Sequence, residues 1–272
     1  MASILLVGLG DLGSRIASCA LDVGIAVSAM RRSPGCPQNV TLFQHDAALP
    51  WPAIAGAYTD LVLCVAPDGR NDPAYHQAYL KVGEQALVWL QQQAQPVHVW
   101  LVSSTSVYGQ QQGEWVTEDS PRQPQASTAR ILVEAEEFWF KNSPHCTILR
   151  PAGLYGPGRN MMIETARKAV HFIENEPVYT NRIEVSDCAR AIVHLVQRRQ
   201  LGHNIANAYN LADLQPTPFT TVIDFLQQQL RIAPESIQQR NRGSKRVSVT
   251  RLQQTGFNWH YPDYQAGYLA ML

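Results

Sequence analysis

Two signatures of metal and histidine chemistry are missing from this chain. Its eight histidines never fall at HxxxH or HExxH spacing, and its five cysteines form no CxxC pair. No metal site is therefore predicted, and a histidine base has no support in the spacing. Cys19, Cys36, Cys64, Cys146 and Cys188 are odd in number and mostly embedded in apolar runs, which suits reduced core thiols in a cytoplasm. An excess of charge of one sign is also missing: 22 basic residues balance 22 acidic ones. Neither nucleic acid nor an anionic membrane surface is expected as a partner. The opening MASILLVGLG is apolar but too brief for a membrane span, and it reaches glycines before any cleavage-type region. The expectation is a cytoplasmic protein with neither signal peptide nor anchor, and without internal repeats.

What is present is enough apolar sequence, 45% of 272 residues, to bury one large domain or a large and a small one. Short apolar runs alternate with amphipathic segments. Residues 3–8 read as a strand, 11–23 as a helix and 25–30 as a second strand. Further strands are expected at 41–44, 60–66, 97–103 and 146–150, with helices over 75–92 and 129–141. This alternation means crossover helices on a parallel sheet, hence an α/β fold. After Arg150 the rhythm loosens. RPAGLYGPGR reads as a loop, 186–199 as a helix opened by Ser186 as N-cap, AYNLAD as a short strand, 219–231 as a helix and NRGSKR as a basic stretch. Asp187 reads as structural, and Trp89, Trp100 and Trp139 as core. Residues 1–150 are expected to form one domain and 151–272 mainly a smaller lobe, with 186–199 packing back on the first.

GLGDLG follows the first strand and opens the first helix, which is the context a dinucleotide-binding turn requires. Gly8 would make the tight turn, Gly10 would let the backbone approach a pyrophosphate, and Gly13 would allow the helix to pack on the sheet. With Asp11 and Leu12 they make up the expected phosphate-binding turn. The end of the second strand carries Arg31 and Arg32 after Met30, where an NAD site would usually carry an acidic residue. Paired guanidiniums suit a ribose 2′-phosphate, so the expected cofactor is NADP, with NAD as the alternative. Two solvated loop cations are the plainer reading of the same residues. Asp46 either bonds the adenine amino group or caps the next segment. Ala66 and Pro67, at the end of the fourth strand, would lie beneath the cofactor ribose.

SSTSVYG at 103–109, EDSPRQP at 118–124, LRPAGLYGPGR at 149–159, NRIEVSDCARAI at 181–192 and YNLAD at 209–213 follow one another in the order seen in extended short-chain dehydrogenase/reductases. The chain resembles the NAD-dependent epimerase/dehydratase family over nearly its whole length, most closely a YeeZ-like branch. The resemblance implies a Rossmann doubly wound parallel sheet with helices on both faces, binding NAD(P), and a smaller C-terminal substrate lobe. It implies that Ser103, Arg130 and Pro151 join the cofactor contacts. It also implies a serine that orients the substrate and a tyrosine, with a lysine four residues on, that transfers the proton.

Ser104 matches the serine, although a serine bonding backbone at a strand end is the plainer reading. The segment ASTARILVE aligns Arg130 and Glu134 with the family's lysine and glutamate, and it sets Ala126 at the tyrosine position. Alanine has no proton to give, and an arginine cannot readily join a proton relay. Tyr108 and Tyr155 are the nearest phenols by motif. Arg150, Arg159 and Arg182 are expected near the substrate lobe, where they would meet an anionic group or pair with carboxylates. The expected function is an NADP-dependent oxidoreductase or epimerase/dehydratase-like enzyme with an altered proton donor. Its substrate would be small, anionic or nucleotide-linked. The alternative is a non-catalytic dinucleotide-binding sensor or partner-binding protein. Helices 75–92 and 129–141 are those through which the family often dimerises, so a homodimer is also expected.

Overall fold

The computed structural model describes residues 2–272, so that only Met1 lies outside it. The chain divides into two compact units. The first comprises residues 2–107, Pro124–Arg150 and Ala189–Tyr209; the second comprises Tyr108–Gln123, Pro151–Cys188 and Asn210–Leu272.

The main sheet, most of which lies in the first unit, has seven strands: β1 (Ser3–Val7), β2 (Ala26–Arg31), β3 (Thr41–Gln44), β4 (Asp60–Leu63), β5 (His98–Val102), β6 (Cys146–Pro151) and β7 (Ala208–Leu211). Their order across the sheet is β7-β6-β5-β4-β1-β2-β3, and the pairs from β6 to β3 run parallel. The first three strands step one way from β1 and the rest step the other way. With right-handed crossovers this doubly wound order puts the connecting helices of the two halves on opposite faces. It also leaves a crevice at the carboxyl ends of β1 and β4, where the direction reverses.

The strands are nearly continuous apolar runs because both faces are covered: Ile4, Leu5, Leu6 and Val7 in β1 and Leu61, Val62 and Leu63 in β4 are all buried. Helix α1 (Asp11–Asp22) buries Leu12, Ile16 and Ala20 at four-residue spacing. Trp89, Trp100 and Trp139 are core residues, as their patterns suggest. The five cysteines carry free thiols, and no helix among the described residues is long and apolar enough to cross a membrane.

Several boundaries differ from the sequence reading. The strand expected over 60–66 stops at Leu63, and the backbone beyond it turns out of the ladder at the carboxyl edge. The helix expected from Tyr75 begins at Asp72: the Asn71 side chain caps it by accepting from Ala74 N at 3.0 Å, and Pro73 sits in its first turn. Its middle, His76–Lys81, is wound as a π-helix before α2 (Val82–Gln91) resumes the tighter pitch. Helix α3 is Ser127–Asn142, with Ala126 as the extended residue just before it.

Helix α4 (Val185–Gln200) is not capped by Ser186. The Glu184 carboxylate does that work, accepting from Ser186 N at 2.7 Å, from Asp187 N and from the Ser186 hydroxyl. Asp187 holds backbone, accepting from His260 N and Tyr261 N at 3.1 and 2.7 Å.

The second unit has more strand than the sequence rhythm suggests. Gly153–Tyr155, within the expected loop, pairs in parallel with Arg182–Glu184. Ser244–Val247, which includes part of the basic stretch, pairs with Gln112–Val116. Runs of three to five residues are too short for an alternating pattern to stand out. The helix Phe219–Leu230 ends at Arg231, whose φ of 56° makes a left-handed cap. It packs Val222, Ile223 and Leu226 into an apolar cluster with Tyr155, Phe172 and Tyr268.

Candidate functional site

At the switch point the β1–α1 turn uses each glycine differently. Gly8 has a φ of 99°, and a Cβ there would stand 2.3 Å from the Cys64 carbonyl oxygen. The turn can therefore lie flat against the strand beside it only with glycine. A Cβ on Gly13 would stand 2.1 Å from the Gly8 carbonyl oxygen, so α1 sits closer to the turn than any side chain permits. Gly10 has nothing within 4 Å of its missing Cβ. It is the N-cap of α1 and offers no side chain to the amides of the first turn, which leaves that helix end open to an anion. Asp11, in the first turn, is paired with Arg15 at 3.0 Å, and Leu12 is buried.

The turn floors a cavity of about 460 Å³, a size suited to a small-molecule ligand. Of the residues expected to bind cofactor, Gly8, Gly10, Arg31, Arg32, Asp46, Ala66 and Pro67 line it. Asp11, Leu12, Gly13, Ser103, Arg130 and Pro151 are not among its lining residues. The sequence reading missed Leu9, Ser33, His45, Asp68 and Gln77, which do line it. Asp68 could have been found by continuing past Pro67. Gln77 lies within the helix expected over 75–92, in its π-wound stretch, and belongs to no motif that would have marked it as facing the cavity.

Arg31 is held in the wall, donating to Ser33 Oγ at 2.6 Å and to the Gly35 carbonyl at 3.1 Å. Arg32 stands at the exposed rim and forms two 2.5 Å hydrogen bonds with Asp68. That hydrogen bonding raises the Arg32 pKa and lowers that of Asp68 from their usual values. Asp46 lines the cavity and accepts from Ala48 N at 3.0 Å.

Ser104 follows the carboxyl end of β5. Its hydroxyl accepts from Ser106 N at 3.1 Å and opens the 3₁₀ turn Thr105–Val107. Ser103 turns inward, donating to Glu136 Oε1 at 2.7 Å. Glu136 in turn receives the Arg150 guanidinium at 3.0 and 2.7 Å. Ala126 is exposed. Arg130 bonds the carbonyls of Pro124 and Gln125, at 3.4 and 3.0 Å.

Both candidate phenols belong to the second unit. The Tyr108 hydroxyl donates to Asn210 Oδ1 at 2.7 Å, and both residues are buried. Tyr155 packs 4.6 Å from the Tyr268 ring. Its hydroxyl is sealed from solvent with no hydrogen-bond partner, and burial pushes its pKa far above the ordinary phenol value. Nearby, burial pushes the Asp213 carboxyl up to about 7 despite Arg182 at 3.8 Å. Arg150 and Arg182 thus take the carboxylate-paired alternative. The Tyr155 proton, held far above the ordinary phenol range, is a poor one to transfer at neutral pH.

The chain is similar in structure to a protein from Methylobacillus flagellatus assigned as an NAD-dependent epimerase/dehydratase. The TM-score is 0.80 at 30% identity, covering 99% of this chain and 97% of that one. It is similar to a conserved protein of unknown function from Silicibacter pomeroyi, at a TM-score of 0.76 and 24% identity over 100% and 98% of the two chains. The human epimerase family protein SDR39U1, solved with NADPH, shares the fold at 14% identity and a TM-score of 0.77 over 97% of each chain. No family model and no curated relative matches the sequence.

Proposed function

Since the chain belongs to the NAD-dependent epimerase/dehydratase family, we propose that it binds a nicotinamide dinucleotide, with NADP preferred, in the cavity above β1 and β4. The observation that carries this reading is Gly10. It is the glycine of the motif whose missing Cβ opens onto free space, and it lines the same cavity as Arg31 and Arg32. The residues present fit such a ligand. The α1 N-terminus and the glycine backbone suit a pyrophosphate, and the two guanidiniums suit a 2′-phosphate. Neighbours of this fold solved with NADPH and with NAD support a nicotinamide dinucleotide, and the preference for NADP rests on the two arginines.

A bound nicotinamide supplies hydride transfer, and the chain's own part is to orient the substrate and manage a proton. Ser104 is the group we assign to orientation, through a hydroxyl at a strand end. The substrate is a small anionic or nucleotide-linked compound; a relative of this fold was solved with UDP-glucose and NAD. With Ala126 at the tyrosine position, the proton comes from a group other than the family's phenol. The reading is tested by titrating the protein with NADPH and NADH through nicotinamide fluorescence, then following absorbance with a panel of nucleotide-linked sugars. Equal affinity for the two cofactors, with Arg31→Ala neutral, would end the NADP preference.

A second reading, a dinucleotide-binding protein that catalyses nothing, draws on one further observation. The hydroxyls of Tyr108 and Tyr155 are both enclosed within the second unit, one committed to Asn210 and the other without a partner. Tight NADPH binding with no turnover across the panel selects that reading.

A further inference from the structure

The Arg32–Asp68 pair has a particular place in the topology. Arg32 follows β2 and Asp68 lies beyond the end of β4, and these two strands flank β1 on either side. The flanking strand ends are about 10 Å apart. The pair therefore bridges the crevice over the carboxyl end of β1, where the Gly8–Gly10 turn forms the cavity floor. Both side chains are mostly exposed, at 60% and 66%, so burial does not force them together. Their geometry is a fork on a carboxylate, two parallel bonds of 2.5 Å, and a guanidinium makes the same fork on a phosphate. Arg31, by contrast, spends its donors on Ser33 and Gly35 within its own loop. Arg32 is thus the cation at this rim whose partner is an exposed carboxylate on another loop.

We propose that Asp68 sets cofactor selectivity by competing with a ribose 2′-phosphate for Arg32: the carboxylate holds the guanidinium in the ligand-free protein and yields it only to a ligand that brings a phosphate there. This rests on the NADP reading above. The competition weakens NADP binding by the strength of an exposed ion pair, whereas NAD has no group to contest Arg32 and binds with the pair intact. The hydrogen bond that raises Arg32 and lowers Asp68 from their ordinary pKa values fits a pair that stays charged across the neutral range.

The test is a titration of the wild type, Asp68→Asn and Arg32→Ala with NADPH, NADH, 2′,5′-ADP and ADP, read by nicotinamide fluorescence or calorimetry, so that no turnover is needed. Asp68→Asn is expected to tighten NADPH and 2′,5′-ADP by about fivefold, the scale of an exposed charge pair, and to leave NADH and ADP unchanged. Arg32→Ala is expected to weaken NADPH and 2′,5′-ADP, the two ligands with a 2′-phosphate, by about tenfold or more. An Asp68→Asn protein with unchanged NADPH affinity, or with an equal gain for NADH, overturns the competition while a loss in Arg32→Ala leaves the NADP reading standing. If Arg31→Ala and Arg32→Ala both bind NADPH like the wild type, the NADP reading itself fails and the competition with it. Asp68 and Arg32 are both at the surface, so the variants fold; a circular dichroism melt accompanies each titration.

Discussion

Glu136 and Arg150 form an ion pair sealed from solvent, with side-chain exposures of 0% and 2% and a closest contact of 2.7 Å. The pair also takes the Ser103 hydroxyl, so it joins α3, β6 and the end of β5 at the point where the chain continues into Ser104. Removing one partner leaves the other as a buried charge without its counter-ion. Glu136→Ala is therefore expected to lower unfolding stability by about 3–5 kcal/mol in urea denaturation, whereas Ser103→Ala costs about 1 kcal/mol, the scale of one hydrogen bond. Equal losses from the two would show that the ion pair carries no special weight.

His98 makes the fold sensitive to acid. Burial, and next the nearby Arg199 charge, hold its imidazole down at about 4. The Thr147 hydroxyl donates to the Ala206 carbonyl, so its oxygen accepts from His98 Nε2–H at 3.0 Å, and the lowered pKa keeps the native ring neutral near pH 7. An unfolded histidine takes up its proton near 6.5. Between about 6.5 and about 4 the unfolded chain binds more protons than the native one, so stability falls as pH falls through that window. Above it, the histidine adds no slope. The full effect is about 3 kcal/mol. His98→Gln is expected to flatten the melting temperature against pH over this interval; a profile as steep as that of the wild type would assign the acid sensitivity elsewhere.

The glycines of the first turn are expected to separate binding from folding. Gly10→Val points a side chain into open space. It should fold within about 1 kcal/mol of the wild type while weakening NADPH by about tenfold or more. Gly13→Ala places a Cβ against the Gly8 carbonyl and should cost about 2 kcal/mol or more. Denaturation and NADPH titration of both proteins check the pair, and a Gly10→Val protein that binds like the wild type would remove the turn from the ligand site.

Tyr155→Phe removes a buried hydroxyl that has no partner. Stability is expected to hold or to rise by up to about 1 kcal/mol, with NADPH affinity unchanged. If turnover is found on any substrate, it too should survive the change. Its loss with binding intact would identify Tyr155 as the proton donor.

The glycine turn was legible because its three glycines keep a fixed spacing between a strand and a helix, and the sheet because its buried strands are apolar runs. The pair of arginines was legible as a charge, but not its division of labour. Arg31 and Arg32 look alike in sequence, yet one is tied to Ser33 and Gly35 and the other to a residue 36 positions away. Ser186 looked like the α4 cap because serine is a common N-cap residue, and Glu184 took the role because the helix begins at Val185, which puts Ser186 inside the first turn and its amide among those to be capped.

By itself the sequence determined what depends on neighbours along the chain: the α/β alternation, the glycine spacing between the first strand and the first helix, and an alanine at position 126 where the family pattern has a tyrosine. Only the tertiary structure decided which charged and hydroxyl groups remain available. Asp68 closes on Arg32, Glu136 takes both Ser103 and Arg150, and Tyr108 commits its proton to Asn210. Such pairings join residues that are up to 102 positions apart. They follow from how strands order themselves in a sheet and how helices pack, which no local pattern records.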